Sequence, residues 1–216
     1  MNQQETVWTI VVAAGSGLRF GSAKQFEPIG GRPIVEWAVE EAQKHSVGVV
    51  TVLPKGRATG PGQVEGGATR SESVRRGLAA VPPEATIVCV HDAARPFASP
   101  VTYQRVISAV VDGADAAVPG IPVVDTIKQV NESNVVVSTP RRETLRAVQT
   151  PQAFRAESLR RAHDGNGEGT DDATLIERIG GEVVVVEGDP ANRKITSRED
   201  LEWAVAHADH LLNGEV

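Results

Sequence analysis

The sequence is poor in cysteine and in aromatic residues. Its 216 residues include one cysteine, Cys89, and aromatic side chains make up 4% of the chain. A single cysteine excludes a framework of disulfides within the chain. Cys89 lies in the apolar run 87–90, which favours a small buried side chain over a nucleophile. This composition suits a reducing compartment, and we expect a cytoplasmic location.

Long apolar runs and an excess of positive charge are also lacking. No apolar run approaches the ~18–20 residues of a membrane-spanning helix. Residues 1–8 lack the charged and apolar regions of a secretion signal. The formal net charge is −6, whereas a dedicated nucleic-acid-binding domain is usually basic. We therefore expect neither a membrane nor a nucleic acid as a partner.

Two well-known phosphate-binding motifs are incomplete near the start of the chain. Gly15 and Gly17 fit the pattern G-x-G-x-x-G, but Phe20 occupies the third glycine position. Lys24 is followed by glutamine, whereas a Walker A loop needs serine or threonine there. The pattern speaks against a nicotinamide-dependent oxidoreductase and against a P-loop NTPase.

The first apolar run, 10–14, nevertheless leads into residues that suit phosphate. A short apolar run that ends in glycines is typical of a buried parallel strand followed by a tight loop. Gly15 and Gly17 let backbone N–H groups approach a polyphosphate, and Arg19 and Lys24 place two cations just beyond. We interpret the stretch as a nucleotide-binding loop. An ordinary strand and turn with two surface cations is the alternative.

Along the rest of the chain, apolar strand-like runs alternate with helical patterns. Such alternation predicts an α/β fold with a mostly parallel twisted sheet flanked by helices. Strands are predicted at 47–53, 86–90, 114–119 and 182–186, a loop at 55–67, and helices that begin at Arg32-Pro33 and after Thr69, Ser99 and Ser197. We interpret residues 1–216 as a single domain.

The alternation is interrupted at about 122–144. Two strand-like runs, 122–128 and 135–138, flank a polar turn. We interpret this excursion as a β-arm that protrudes from the domain. Exposed apolar residues on such an arm favour a partner surface, so we expect a homodimer. A surface hairpin folded back on its own domain is the alternative.

Polar residues follow several of the predicted strands, where ligands bind in open α/β sheets. Asp92 directly follows a buried run and suits Mg²⁺, which prefers one or two carboxylates together with phosphate oxygens and water. An ion pair or cap with Arg95 is the alternative for this carboxylate. Arg95 could instead bind a substrate phosphate through two hydrogen bonds. We expect His91 to be structural.

Seven motifs follow one another along nearly the whole chain: AAGSGLRF…AKQF, GGATRSESVRRGL, VHDAARPF, PVVDTIK, TLRAVQTPQAF, TDDA and NRKIT. In this order they resemble the 2-C-methyl-D-erythritol 4-phosphate cytidylyltransferases of the non-mevalonate isoprenoid pathway. The resemblance implies a Rossmann-like nucleotidyltransferase with a protruding β-arm. It also implies Mg²⁺ as cofactor, and CTP and a sugar-alcohol phosphate as substrates.

The resemblance implies a role for individual residues as well. It places Ala13, Ala14, Gly15, Gly17, Gly67 and Ser73 around the nucleotide, Arg19, Lys24 and Lys194 as catalytic cations around the triphosphate, Asp92, Arg95, Thr126, Arg142 and Thr150 at the acceptor, and Asp92 also at the metal. In this family the arm exchanges across a dimer, so Thr126 and Arg142 are expected to serve the neighbouring subunit. Ala23 departs from the family pattern, which commonly has proline before the loop lysine.

The implied reaction transfers CMP from CTP to 2-C-methyl-D-erythritol 4-phosphate and releases pyrophosphate. A cytidylyltransferase for ribitol phosphate or another sugar phosphate would share the glycine loop and CTP but differ in the acceptor pocket. A non-catalytic nucleotide-binding module would need the glycine loop but not the convergence of Arg19, Lys24, Asp92 and Lys194.

Overall fold

The computed structural model describes residues 5–15, 23–165 and 167–213, so Gly17 and Arg19 lie outside the described residues. The described strands are β1 Val7–Val12, β2 Pro28–Ile29, β3 Arg32–Pro33, β4 Gly48–Leu53, β5 Gln63–Glu65, β6 Ile87–Asp92, β7 Ala116–Pro122, β8 Gln129–Val130, β9 Val136–Ser138, β10 Arg146–Val148, β11 Gln152–Arg155 and β12 Val183–Glu187. The described helices are α1 Ile34–Lys44, α2 Arg70–Ala79, α3 Pro100–Val111, α4 Ala156–His163, α5 Ala173–Arg178 and α6 Arg198–Leu212. Within these ranges no helix is both long and apolar enough to cross a lipid bilayer.

One sheet organises most of these elements. Its strand order is β10–β7–β11–β6–β1–β4–β5, and β12 also pairs with β7. Pairing is parallel among β6, β1, β4 and β5 and between β7 and β12, whereas β10 and β11 are antiparallel to their neighbours. The predicted α/β fold with a mostly parallel sheet is confirmed.

The hydrophobic core lies on both faces of this sheet. Ile10 and Val11 are both fully buried but pack in different clusters, because successive strand residues point to opposite faces. Ile10 belongs to one cluster with Val74 of α2 and Leu159 of α4, and Val11 belongs to the other with Tyr103 of α3. Each such side chain stabilises the fold by about 1.5–3 kcal/mol relative to an exposed one. Helices on both faces explain why the strands read as continuous apolar runs.

Cys89 of β6 is part of this core. It is fully buried, and burial raises the pKa of its thiol to about 12. Because the thiolate is the nucleophilic form, Cys89 is inert at neutral pH. The prediction of a small core residue is confirmed.

Side chains at two helix starts satisfy backbone N–H groups. Ser197 Oγ accepts from the N–H of Asp200 at 3.2 Å, and the Asp200 carboxylate accepts from the N–H of Ser197 at 2.9 Å. This completes the predicted capping box before α6. Thr69 likewise accepts from the N–H of Glu72 at 3.1 Å, but the Glu72 carboxylate accepts from Ala68 at 2.7 Å. The reciprocal bond before α2 is therefore displaced by one residue.

Two local predictions are wrong in detail because tertiary pairing overrides the local pattern. The helix expected to begin at Arg32-Pro33 begins at Ile34, since β3 pairs with β2 in a two-stranded ribbon. The predicted loop 55–67 contains β5, which pairs in parallel with β4. The glycines of this segment favour a loop, but pairing with the neighbouring β4 makes part of it a strand.

The chain leaves the sheet after β7 and returns at β10, close to the predicted arm at 122–144. Within the arm, β8 and β9 pair in an antiparallel hairpin. The first arm strand is therefore β8 and not the predicted run 122–128. Asn131 Oδ1 accepts from the N–H groups of Ser133 and Val135 at 3.0 Å each, which closes the turn directly after β8.

Candidate active site

The carboxyl ends of β1 and β6 lie side by side at one end of a cavity. Val12 of β1 pairs with Asp92 of β6, so the residues that follow both strands face the same space. The cavity has a volume of about 600 Å³. The predicted site residues among its lining are Ala13, Ala14, Gly15, Lys24, Gly67, Ser73, Asp92 and Lys194. These eight residues are far apart in the chain and are brought together here, whereas the predicted acceptor residues Arg95, Thr126, Arg142 and Thr150 are not among the described residues that line the cavity.

Gln25, which sequence reasoning missed, fixes the exit of β1. Its buried Nε2 donates to the backbone oxygen of Ala13 at 2.8 Å and to that of Gly15 at 3.0 Å. Gln25 shares a short 3₁₀ turn with Lys24, whose Nζ donates to the backbone oxygen of Ile195 at 2.6 Å. These bonds hold the loop lysine relative to the strand exit. The only sequence signal was its place directly after that lysine.

The loop before α2 packs directly against the residues after β1. A Cβ on Gly66 would lie 2.2 Å from the Cβ of Ala14, far closer than two carbon atoms approach. The N–H of Gly67 donates to Ser73 Oγ at 3.1 Å, and that hydroxyl donates to the backbone oxygen of Thr69 at 2.9 Å. Glycine is therefore required at position 66 by the close approach of the two loops.

Asp92 is the only acidic residue among the described residues that line the cavity. Its Oδ2 accepts from Lys194 Nζ at 2.6 Å, and its Oδ1 accepts from Arg70 Nε at 3.2 Å. Burial alone would raise the pKa of Asp92, but Arg70 and Lys194 outweigh it and hold that pKa well below its usual range. The carboxylate is therefore ionised at neutral pH, as metal ligation requires.

Arg70 is a second residue that sequence reasoning missed. It opens α2, and its Nη1 donates to Asp172 Oδ2 at 2.7 Å while its Nε donates to Asp92. Burial opposes its charge, but Asp172 and Asp92 raise the pKa of Arg70 above its usual value. A cation in the first turn faces the positive end of the helix dipole, which is unfavourable. An arginine at the start of a predicted helix was therefore the sequence feature that could have identified Arg70 as a functional residue.

A chain of hydrogen bonds runs behind Asp92. Its backbone N–H donates to Thr150 Oγ1 at 3.0 Å, which lies 3.0 Å from His91 Nδ1. His91 Nε2 lies 3.0 Å from the backbone oxygen of Arg95. Since a carbonyl only accepts, Nε2 carries the proton and Thr150 donates to Nδ1. Burial lowers the pKa of His91 to about 4, so the ring is neutral and fixes the end of β6.

The Arg95 side chain is directed at backbone oxygens. Its Nη1 donates to the carbonyl of Asn192 at 2.7 Å, and its Nη2 to that of Val148 at 3.3 Å. The ion pairs of Asp92 are with Arg70 and Lys194 instead of the alternative partner Arg95. Arg95 thus joins the segment after β6 to the segment that carries Lys194. Its role at the acceptor stays a prediction.

Thr126 and Arg142 lie on the arm, away from the cavity of their own chain. Both are exposed, and neither is among the described residues that line the cavity. Arg142 Nη1 donates to the backbone oxygen of Val124 at 3.0 Å, which fixes the base of the arm. The role of these two residues at the acceptor stays a prediction.

Known proteins resemble this chain over nearly its whole length. The family model described as "IspD: 2-C-methyl-D-erythritol 4-phosphate cytidylyltransferase" matches residues 7–210. The chain is 43% identical over 215 residues to the protein of that name from Nocardia farcinica, and the match covers 92% of each. It is also 43% identical over 223 residues to the bifunctional enzyme IspD/IspF of Nitratidesulfovibrio vulgaris, covering 90% of this chain and 56% of that protein. The chain thus spans about half the length of such bifunctional relatives.

Solved structures give the same result. The 2-C-methyl-D-erythritol 4-phosphate cytidylyltransferase of Thermus thermophilus is 37% identical, with a TM-score of 0.80 over 95% of this chain and 100% of that one. The 4-diphosphocytidyl-2C-methyl-D-erythritol synthase of Anaerococcus prevotii is 29% identical, with a TM-score of 0.82 over 95% and 99%. The resemblance in the sequence motifs is confirmed, and the chain belongs to the 2-C-methyl-D-erythritol 4-phosphate cytidylyltransferase family.

Proposed function

We propose that this protein transfers the CMP group from CTP to 2-C-methyl-D-erythritol 4-phosphate in non-mevalonate isoprenoid biosynthesis. An oxygen of the acceptor phosphate bonds to the α-phosphorus of CTP, and the bond from that phosphorus to the oxygen shared with the β-phosphate breaks. The products are 4-diphosphocytidyl-2-C-methyl-D-erythritol and pyrophosphate. The observation that carries this proposal is the convergence of Lys24, Asp92 and Lys194 on one cavity in a chain of this family.

The size and lining of the cavity support a nucleotide. Its volume of about 600 Å³ falls within the range of roughly 300–1,000 Å³ that small-molecule sites occupy. Ala13 and Ala14 contribute only a methyl group each, and Gly15 and Gly67 have no side chain. Backbone N–H and C=O groups can therefore approach a base and its phosphates closely.

Cations around the triphosphate supply the main stabilisation of the transition state. Negative charge increases on the α-phosphate and on the departing pyrophosphate, and fixed cations aimed there lower the barrier. Lys24 and Lys194 are the described lysines that line the cavity. Arg19, outside the described residues, is assigned the same role by its match to the family motif.

Lys194 changes its partner during this reaction. Its side chain is 41% exposed, whereas that of Asp92 is 12% exposed, so the ammonium has more access to solvent than the carboxylate. When CTP binds, Lys194 exchanges the Asp92 carboxylate for a phosphate oxygen. Because one anion replaces another, the ammonium remains paired, and Asp92 Oδ2 would then be available to hold a divalent cation.

Asp92 is the residue that would hold Mg²⁺. Within the described ranges, no three or more His, Cys, Asp or Glu residues form a group that could hold a metal ion. Mg²⁺ needs no such cage, since it takes one or two carboxylates and completes its shell with substrate phosphates and water. An ionised carboxylate in the cavity fits that donor set. The ion would neutralise and orient the triphosphate.

We also propose that two subunits exchange arms to complete each site. Large apolar side chains that are at least 40% exposed are concentrated on the arm: Val124, Ile127, Val130, Val135, Val136 and Val137. A protruding hairpin with such residues is stabilised when a partner covers it. In this arrangement Thr126 and Arg142 reach the acceptor in the neighbouring site. Arg95 and Thr150 are the acceptor residues proposed from the same chain.

A cytoplasmic location and the absence of a nucleic-acid partner belong to the same proposal. The single buried cysteine suits a reducing compartment. The net charge of −6 disfavours phosphate-backbone binding by the surface as a whole.

Pyrophosphate release tests the reaction and the acceptor together. The purified protein is given CTP and Mg²⁺ with 2-C-methyl-D-erythritol 4-phosphate, with ribitol phosphate, or with neither. We expect release that requires the methylerythritol acceptor and is much slower with ribitol phosphate. Release with ribitol phosphate alone would retain the chemistry and overturn the acceptor. Binding of CTP without release in any mixture would favour a non-catalytic nucleotide-binding protein.

A further inference from the structure

The TDDA motif contributes a buried carboxylate that the proposed reaction does not use. Asp172 is fully buried and is not among the described residues that line the cavity. Its Oδ2 accepts from Arg70 Nη1 at 2.7 Å, and its Oδ1 accepts from His163 Nε2 at 3.1 Å. Both carboxylate oxygens are therefore occupied by side chains from two other helices.

Asp172 binds these side chains instead of capping its own helix. It is the N-cap residue of α5 but makes no side-chain capping bond there. Asp171 does so in its place, since its Oδ1 accepts from the N–H of Thr174 at 3.0 Å. An N-cap aspartate usually stabilises its helix by accepting a hydrogen bond from a backbone N–H. The side chain of Asp172 instead binds Arg70 and His163.

Arg70 connects this carboxylate to the cavity. Its Nε donates to Asp92 Oδ1 at 3.2 Å, and Lys194 binds the other Asp92 oxygen. The guanidinium is planar, with its donors in a fixed arrangement. Two bonds to different carboxylates therefore fix the orientation of Arg70 and, through it, that of Asp92.

The helix itself does not favour this position of Arg70. The residue opens α2, where the helix dipole disfavours a cation. Its side chain is 25% exposed, whereas that of Asp172 is 1% exposed, so Arg70 has access to solvent as an alternative. The two carboxylates hold Arg70 in place, and Asp172 is the one that lies outside the cavity.

We propose that Asp172, bound by His163, is a positioning residue that anchors Arg70 and thereby orients Asp92 toward the metal and the triphosphate. This inference rests on the proposed function. Asp172 acts through Arg70 alone, because it has no place in the cavity lining. Loss of a group that orients a metal-ligating carboxylate costs about 10–100-fold in activity or metal affinity.

A double-mutant cycle tests this dependence. Asp172→Asn keeps the shape of the side chain but removes its charge, and we expect kcat to fall roughly 10–100-fold. Arg70→Lys removes the guanidinium that binds both Asp92 and Asp172, and we expect kcat to fall by at least as much. The double variant is expected to be no slower than Arg70→Lys, because Asp172 has no other route to the site.

Asp115→Asn is the matched control. Asp115 also accepts from a side chain and a backbone N–H, Ser158 Oγ at 2.6 Å and Glu182 at 3.0 Å, but it has no contact with Arg70. We expect its turnover to stay within about twofold of wild type, as for most substitutions remote from a site. Equal losses in Asp172→Asn and Asp115→Asn would overturn the proposal.

The Arg70 Nε–H resonance in a ¹⁵N-edited NMR spectrum gives a readout without substrate. It is assigned by its loss in Arg70→Lys, and we expect it in wild type and Asp115→Asn but not in Asp172→Asn. An unchanged resonance in Asp172→Asn, or additive losses in the double variant, would overturn the anchor. An inactive wild type that keeps this NMR pattern would overturn the proposed reaction but not the anchor.

His163→Leu decides the matter if Asp172→Asn does not fold. It keeps the charge of Asp172 but removes the His163 donor that fixes the carboxylate, so Asp172 no longer holds Arg70 in one orientation. We expect the same loss of the Arg70 resonance and a fall in kcat of about 10-fold. Wild-type turnover together with an intact resonance would overturn the proposal.

Discussion

Lys194 and Asp92 are 102 positions apart in the chain, and their side chains meet at 2.6 Å. Asp92 ends β6 in the middle of the sheet, whereas Lys194 lies in the segment between β12 and α6. Arg70, from the start of α2, binds the other oxygen of the same carboxylate. Three distant segments thus place two cations and one carboxylate beside the exit of β1.

Replacement of Lys194 by methionine removes the ammonium and retains most of the side-chain volume. We expect kcat to fall roughly 10²–10³-fold, about 3–4 kcal/mol of transition-state stabilisation, because one fixed cation is lost. The rate of pyrophosphate release at saturating concentrations of both substrates measures kcat. Lys44→Met on α1, an exposed lysine that pairs with Glu41, is the control. Turnover of Lys194→Met equal to that of the control would exclude the proposed role, and Lys24→Met is tested in the same way.

Replacement of Gly66 by alanine forces two loops apart. The new Cβ would lie 2.2 Å from that of Ala14, so one loop must shift. We expect destabilisation of about 1–3 kcal/mol, together with weaker binding of CTP. Thermal unfolding and calorimetric titration with CTP measure the two effects. Gly60→Ala meets only contacts at 3.4 Å and should leave both unchanged. Normal CTP affinity in Gly66→Ala would contradict the assignment of this loop to the nucleotide.

Replacement of Thr150 by valine breaks the hydrogen-bond chain behind β6. The N–H of Asp92 and the Nδ1 atom of His91 lose their common partner in a buried environment. We expect a loss of about 1–3 kcal/mol in the free energy of unfolding, measured in urea. Thr150→Ser retains the hydroxyl and should recover most of the stability. A Thr150→Val variant as stable as wild type would show that the hydroxyl does not support the end of β6.

The pH dependence of stability should reveal the capping box of α6. Hydrogen bonds from Thr196 and Ser197 outweigh burial and lower the pKa of Asp200 to about 2. A free aspartate has a pKa of about 3.9. Because the folded-state pKa is the lower one, Asp200 stabilises the fold above pH ~4, and this contribution is lost as the pH falls toward ~2.

Urea unfolding of wild type and Asp200→Asn at several pH values measures this contribution. Above about pH 5 we expect a constant difference in the free energy of unfolding between wild type and Asp200→Asn. This difference should disappear as the pH falls from about 4 to 2. A difference in the free energy of unfolding that stays the same down to pH 2 would show that Asp200 acts through packing alone.

Charge on the arm should separate the subunits. Val136 of β9 is 52% exposed, and Val136→Glu would place a carboxylate in the proposed arm contact. We expect the variant to be monomeric by light scattering and to turn over slowly, because Thr126 and Arg142 no longer reach a neighbouring site. Val47→Glu, at a valine 71% exposed outside the arm, should remain a dimer. A monomeric wild type, or a dimeric and fully active Val136→Glu, would contradict arm exchange.

Much of the fold could be predicted from local patterns. The apolar run around Ile10 forms β1, and Ser99 and Ser197 accept the capping bonds of α3 and α6. These features depend on residues close together in the chain, so the sequence pattern suffices. β5 and the start of β8 were missed because a neighbouring strand or a side-chain turn, not local propensity, decides where they lie.

Some residues of the site could also be predicted from the sequence, whereas others could not. Motifs identified Lys24, Asp92 and Lys194, and the cavity brings them together. Gln25 and Arg70 were missed because their partners, the carbonyl oxygens after β1 and the buried Asp172, are known only from the packed structure.

The sequence by itself determined most of the strands and helices, the glycines that follow the first apolar run and the residue types of the site, since these follow from periodicity, capping and motif. Tertiary structure decided which ions pair. Asp92 is bound by Arg70 and Lys194 and not by the nearby Arg95, whose donors are used by backbone oxygens. The reason is that ion pairs depend on distances of a few ångströms between side chains, and only packing sets those distances.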